Sequence, residues 1–179
     1  GQRATPEQLE AARIELGLDK SIAEQYVMYL KDLLRGNLGK SLNNHEPVAT
    51  ELARYIPATL ELVLLSFIFA VILGIPLGIY SAKQKDKLLD HLSRFFSIGA
   101  VSLPTFWVAL FLQLIFYKNL RLLPIGGRVS IEITVFETLP NITGMLLLDS
   151  LLTGKFNIFV DALKHIILPG ITIALYPIG

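Results

Sequence analysis

Residues 60–82 read LELVLLSFIFAVILGIPLGIYSA. One charge, Glu61, lies in the first turn of this run, and none follows until Lys83. At about 1.5 Å rise per residue, a helix of this length crosses a hydrocarbon core of roughly 30 Å. The run therefore predicts a membrane span, and the other segments are read from it.

The chain has 179 residues, of which 53% are hydrophobic and 17% charged. Soluble domains carry roughly 25% charged residues, so the balance is shifted toward an apolar solvent. The apolar excess gathers in residues 58–82, 92–117 and 162–179, whereas residues 1–57 look soluble. The predicted class is an all-α, multi-pass helical membrane protein. Its predicted parts are an amphipathic helical region over residues 1–57 and a transmembrane domain over 58–179. The predicted spans cover about 58–82, 92–117 and 162–179 onward. Net charge is +1, which gives no electrostatic signal for nucleic acid. The absence of cysteine excludes disulfides, thiolate catalysis and thiolate metal sites. His45, His91 and His165 do not show metal-ligand spacing. The chain opens GQRATPEQ, without a signal-peptide pattern, and ends ALYPIG inside an apolar run. It is expected to be a piece of a longer protein.

Upstream of the span, Thr5-Pro6-Glu7-Gln8 fits a helix start with proline at the first helical position. Leu9, Ala12, Ile14 and Leu16 give an imperfect apolar face, and Gly17 suits a helix end. Ser21 suits a second N-cap. Ile22, Tyr26, Tyr29, Leu30, Leu33 and Leu34 follow a 3.6-residue period up to Gly36. Residues 36–41 read as a turn-rich connector, and Pro47 predicts the start of a third short helix with Val48, Leu52 and Tyr55 on one side. The first span is then expected to follow Pro57.

Within that span, Glu61 is close to the positive helix end, where a carboxylate is tolerated at reduced cost. Structural tolerance is favoured over a pathway-lining role. Gly74 and Gly78 stand four apart around Pro76, which predicts a close helix contact and permits a bend. Lys83, Lys85 and Lys87 make the following short loop a cytoplasmic one by the positive-inside tendency. In the second span, Arg94 is near enough to the start to snorkel, and Pro104 interrupts the middle. Trp107 is too central for an interfacial anchor and is expected between helices or at a cavity. Gln113 is expected to make an interhelical hydrogen bond. Residues 122–127 read as a turn. The β-branched residues from Val129 to Phe136 predict a short extended piece. The Asn141-Ile142-Thr143 sequon is discounted as a chance match. Residues 144–152, apolar around Asp149, are too short to span and predict a surface or re-entrant helix.

No phosphate-loop pattern GxxxxGK[ST], no HExxH and no GxSxG occurs. No catalytic, cofactor-binding or metal residue is therefore assigned, no cofactor is expected, and the chain is not read as an enzyme. No substrate-binding residue is assigned either. Spans, small-residue contacts and a short cytoplasmic loop fit a transport pore subunit or a membrane scaffold.

Six stretches taken together carry a resemblance. They are ELGLDKSIAEQYVMYLKDLLRGNLGKSL, Arg54-Tyr55-Ile56-Pro57-Ala58-Thr59-Leu60-Glu61-Leu62, GIPLGIYSAKQKDKLLDH, SLPTFWVALFLQLIF, LRLLPIGG and LLDSLLTGKFNIFVDALKHIILPGITIAL. In this order, over nearly the whole chain, they resemble the permease subunits of dipeptide/oligopeptide ABC transporters. The resemblance implies a six-helix, multi-pass protein of the cell inner membrane, with residues 1–57 extracytoplasmic and after a first helix. It implies a translocation pathway for peptides or similar small solutes, driven by ATP hydrolysis on separate subunits. The implied partners are a second permease, two cytoplasmic ATPases, an extracytoplasmic solute-binding protein and the lipid bilayer. The family's ATPase-docking loop follows the span that begins near Ala162, beyond the residues given. The alternative is a membrane scaffold or assembly subunit without a translocation role.

Overall fold

The computed structural model describes residues 5–15 and 17–179. Every regular element among them is helical, and the chain separates into two compact units, residues 1–53 and 54–179.

In the first unit, α1 spans Pro6–Glu15 and α2 spans Ile22–Leu34. Of the expected α1 face, Leu16 and the side chains of Leu9 and Ala12 lie outside the described residues, and Ile14 is exposed. Gly17 closes the helix at φ +67, where its N–H bonds the Ile14 carbonyl at 3.0 Å. The Ser21 N-cap is present as a capping box. Its hydroxyl accepts from the Glu24 N–H, while the Glu24 carboxylate accepts from the Ser21 N–H at 3.0 Å. The periodic apolar face of α2 forms, yet it has no buried residue. The connector doubles back through an isolated bridge between Lys40 and Pro47.

The third short helix is not separate. Val48–Lys83 is one helix of 36 residues, α3, which contains both Pro57 and Pro76. A proline removes one N–H from the ladder without removing the neighbouring bonds, so a long helix can run through it. The predicted 92–117 span is broken instead. α4 covers Leu88–Ser102, and α5 covers Thr105–Gln113 before continuing as a π-helical turn, Leu114–Asn119. The two halves meet at 106° across Leu103 and Pro104. Leu103 is forced into extended backbone, φ −86 and ψ 135, by the proline that follows it.

The β-branched stretch is helical as well. α6 spans Ile131–Phe136, where an extended piece was expected. Ser130 starts it, and both its N–H and its hydroxyl donate to Asp161, at 2.6 and 2.7 Å. This distant carboxylate holds the helix start and overrides local strand preference. The short helix expected around Asp149 is α7, Leu146–Leu152, and α8 spans Phe156–Ile178.

α8 is the packing axis of the second unit. It contacts α4, α5 and α7, and it buries Ile158, Ala162, Leu168 and Ala174. Leu146 joins Ile158 and Ala162 in a small core covered by Val129, Ile133, Leu139 and Leu147. α3 and α8 are long and apolar enough to cross a membrane, and α4 with α5 makes a third span if the bent pair counts as one. Only 6% of the apolar window of α3 is buried, against 39% for α8. α3 thus presents its apolar length outward, as a lipid-facing or partner-facing helix does.

Candidate functional site

Two clefts of the second unit lie along α3, one beside Glu61 and one towards its C-terminal end. Beside Glu61, a cleft of about 270 Å³ is bounded by α3, α7, α8 and the segment carrying Gly127 and Arg128. Its polar lining comes from Tyr55, Thr59, Glu61, Arg128 and His165, and its apolar walls include Leu62, Leu146, Ile166 and Pro169.

Glu61 is the anchor of this cleft. The Arg128 Nη2 donates to Glu61 Oε2 at 3.0 Å and also to the Gly144 carbonyl at 3.0 Å. The Leu147 N–H donates to Glu61 Oε1 at 2.5 Å. Glu61 is thus buried, with both oxygens engaged. Because α3 begins at Val48, Glu61 lies well inside the helix and not at its start as expected; its carboxylate is held instead by a cation and a backbone donor from 67 and 86 residues away. Periodicity carries no signal for the pairing of Glu61 with Arg128, 67 residues apart.

Asp149 holds the same region together from inside. It has no solvent exposure. The N–H groups of Ile142, Thr143 and Gly144 donate to its carboxylate, each at 2.9–3.0 Å for the shortest contact, and the Thr143 hydroxyl donates at 2.7 Å. Burial pushes this carboxyl up, but the Thr143 hydroxyl and the three backbone donors together outweigh it and hold it below its ordinary value. Gly144 adopts φ +81, and a Cβ there would come within 2.9 Å of the Pro57 ring. The discounted sequon is therefore a structural loop wrapped on Asp149, brought against α3.

On α8, His165 is buried, and its Nδ1 lies 2.8 Å from the Asp161 carbonyl and 3.5 Å from the Asp161 carboxylate. Asp161 in turn accepts from Ser130 at the start of α6, as described above. None of these residues was singled out in the sequence as a site.

Towards the C-terminal end of α3, a second cleft of about 680 Å³ is lined by Gly74, Gly78, Ser81, Leu92, Arg94, Ser97 and Ile178, among others. Gly74 meets Ile178 at ordinary contact distance, but Gly78 faces open space within 4 Å. The predicted small-residue face makes its close contact at one glycine only. A tighter approach occurs at Gly170, where a Cβ would lie 3.2 Å from the Phe69 ring. The lysine loop is tied by buried Asp90, which accepts from the Ser81 hydroxyl at 2.8 Å, from the Asp86 N–H at 3.0 Å and from Arg94 through two nitrogens at 2.9 and 3.1 Å. Arg94 therefore pairs with Asp90, beyond the snorkelling expected of it. Gln113 donates to the Ile125 carbonyl at 2.9 Å, so it fastens the turn after its own helix and does not bridge two helices. Trp107 stacks on Phe111, with ring centroids 5.5 Å apart and planes within 4°. No group of three or more His, Asp or Glu among the described residues has the arrangement of a metal site.

Helices long and apolar enough to cross a bilayer suit a membrane component. Family comparison agrees. Residues 74–179 match the family model described as binding-protein-dependent transport system inner membrane component, and residues 1–63 match the N-terminal model of the same system. The chain belongs to this family of binding-protein-dependent inner-membrane transport components. It is 41% identical, over its whole length and 52% of the relative's, to the Probable D,D-dipeptide transport system permease protein DdpB of Escherichia coli (strain K12). It is 37% identical, again over its whole length and 53% of the relative's, to the dipeptide transport system permease protein DppB of Alkalihalophilus pseudofirmus. The putrescine export system permease protein SapB of Escherichia coli (strain K12) is 34% identical over 88% of this chain and 49% of that protein. The chain spans about half the length of the curated relatives it matches.

Proposed function

We propose that the chain is part of the permease of an ABC importer and forms one side of a translocation pathway for peptides or similar small solutes. The observation that carries this reading is the agreement of both family models, in order, along one chain whose long helices suit a bilayer. On this reading the chain is not an enzyme. ATP is hydrolysed on two separate cytoplasmic subunits, a second permease completes the pathway, and an extracytoplasmic binding protein delivers the solute. The protein is multi-pass in the cytoplasmic membrane. Residues 1–57 lie outside the cytoplasm as a helical region, and the membrane domain begins at residue 58. The Lys83–Lys87 loop faces the cytoplasm, which puts the Glu61 cleft at the extracytoplasmic end.

A small peptide is the preferred cargo because relatives named for dipeptide transport match the entire chain. The test is uptake of labelled alanyl-alanine by cells that carry the full-length gene and its neighbouring transport genes, with and without an in-frame deletion of this permease. Uptake is expected to require the permease. Uptake unchanged by the deletion, with the protein still present in the membrane of the parent, would instead support a scaffold.

A further inference from the structure

The donors and acceptors of the Glu61 cleft are unevenly used. Arg128 makes both of its hydrogen bonds through one nitrogen, Nη2; its Nη1 and Nε carry none among the described residues. Its side chain is 45% exposed, while that of its partner Glu61 is 8% exposed. The guanidinium is thus fixed from behind and keeps a donor-bearing edge open to the cleft. A planar guanidinium edge matches a carboxylate better than any other simple anion, and two charge-assisted bonds are possible in one plane.

His165 has the complementary character. It lines the cleft with a side chain only 4% exposed. Its Nδ1 is held by the Asp161 carbonyl, an acceptor, so in the neutral ring the proton sits on Nδ1. Nε2 then keeps a lone pair, and no described residue donates to it. Nε2 can therefore accept from a ligand that brings an N–H into the cleft. Between and around these groups the walls are apolar, with Leu62, Leu146 and Ile166 among them. A volume of about 270 Å³ is small for a ligand pocket and suits the end of a molecule more than the whole of a large one.

Glu61 already offsets the charge on Arg128, so any anion adds net negative charge to the cleft, and a monoanion adds less of it than a dianion such as phosphate.

We propose that this cleft binds the C-terminal end of a short peptide, with Arg128 donating to the carboxylate and His165 Nε2 accepting from the last peptide N–H. Glu61 is a positioning residue that orients Arg128 without touching the ligand. The small apolar C-terminal side chain lies against the Leu62, Leu146 and Ile166 walls. The inference rests on the reading of the chain as part of a peptide permease and adds a site to it.

The test compares alanyl-alanine with its C-terminal amide, each measured by equilibrium dialysis against the full-length permease in lipid nanodiscs. The wild type is expected to bind the acid at least about tenfold more tightly than the amide, the scale of one charge-assisted pair. Glu61→Gln together with Arg128→Gln removes both charges without leaving one buried alone. This double substitution is expected to bring the acid and the amide to the same affinity. His165→Phe is expected to weaken both ligands several-fold while preserving their ratio, and it decides the matter should the double variant fail to fold. A wild type that does not discriminate acid from amide overturns the site. So does a ratio unmoved by the double substitution, or an alanyl-alanine affinity unmoved by His165→Phe. Transport is read separately: an acid/amide preference without uptake by the whole transporter would count against the importer and leave the site standing, whereas uptake without the preference would do the reverse.

Discussion

Asp149 shows how much one side chain can organise when it accepts from several consecutive backbone groups. Three N–H donors and one hydroxyl converge on it, and removing it leaves them buried without acceptors. Leaving a buried polar group unpaired costs about 1–3 kcal/mol. Asp149→Ala is therefore expected to destabilise the full-length protein by roughly 3 kcal/mol or more, read as a lower thermal unfolding midpoint in detergent. The acid response has a definite sign. The carboxyl is held below its ordinary value of 3.8 in the folded state, so its contribution is complete above that value. The contribution is lost as pH falls through the lower folded value. Asp149→Asn should flatten the loss of stability on acidification below about pH 4 while lowering stability at neutral pH. Gly144 is the second residue on which this loop depends. At φ +81 an alanine costs about 1–2 kcal/mol in backbone strain, and its Cβ would also press on Pro57 at 2.9 Å. Gly144→Ala is expected to be destabilising by about 2 kcal/mol, where Gly154→Ala, with the same backbone sign but no neighbour within 4 Å, should cost less.

At the scale of elements, the helix contacts of α3 differ from what its glycine spacing suggested. Gly74 and Gly78 form the small-xxx-small pattern, yet only Gly74 has a neighbour, Ile178 on α8. The closer approach is made from the other side, by Gly170 of α8 against Phe69 and Leu65 of α3. The expected outcome is asymmetric. Gly170→Val should separate α3 from α8 and lower the unfolding midpoint measurably, whereas Gly78→Val should leave it nearly unchanged. Equal effects at the two positions would show that the α3–α8 contact lies elsewhere. α6 makes the same point about local preference. Its sequence, IEITVF, is β-branched, and it is nonetheless helical because Ser130 is bonded to Asp161 on α8. The broken α4–α5 span was half visible. Pro104 announced an interruption, but a 106° turn follows from how α5 and α4 each pack on α8, which no spacing rule contains.

For the whole molecule, orientation is the property to be measured. Under the proposed topology Lys83 at the end of α3 and Lys85 and Lys87 after it face the cytoplasm, and Lys85 is exposed. In the full-length protein, Lys85→Cys is expected to react with a membrane-impermeant maleimide only after the cells are opened. Labelling of intact cells from outside would reverse the topology and move the Glu61 cleft to the cytoplasmic end. Such an outcome would bear on the direction of access to the cleft and not on its chemistry, because the Glu61–Arg128 pair and His165 lie together in either orientation.

The helical class, the long apolar runs of α3 and α8, the Ser21 N-cap of α2 and the family were legible in the sequence, because each is a local or linear property: hydropathy over a window, spacing within a few residues, motifs in order. The reading of Glu61 as lying at a helix start does not hold, since α3 begins at Val48. Only the tertiary structure decided what holds the Glu61 carboxylate. Its partners are drawn from 67 and 86 residues away, and Asp149, Asp161 and His165 take their roles from loops and helices that sequence leaves unpaired. Apolar solvent makes the difference physical: it demands that each buried charge and backbone donor find a partner, but which partner it finds depends on how the helices pack. The run at residues 60–82 could be recognised as a span from its composition alone, whereas the cleft at its beginning exists only once α7, α8 and Arg128 have folded against it.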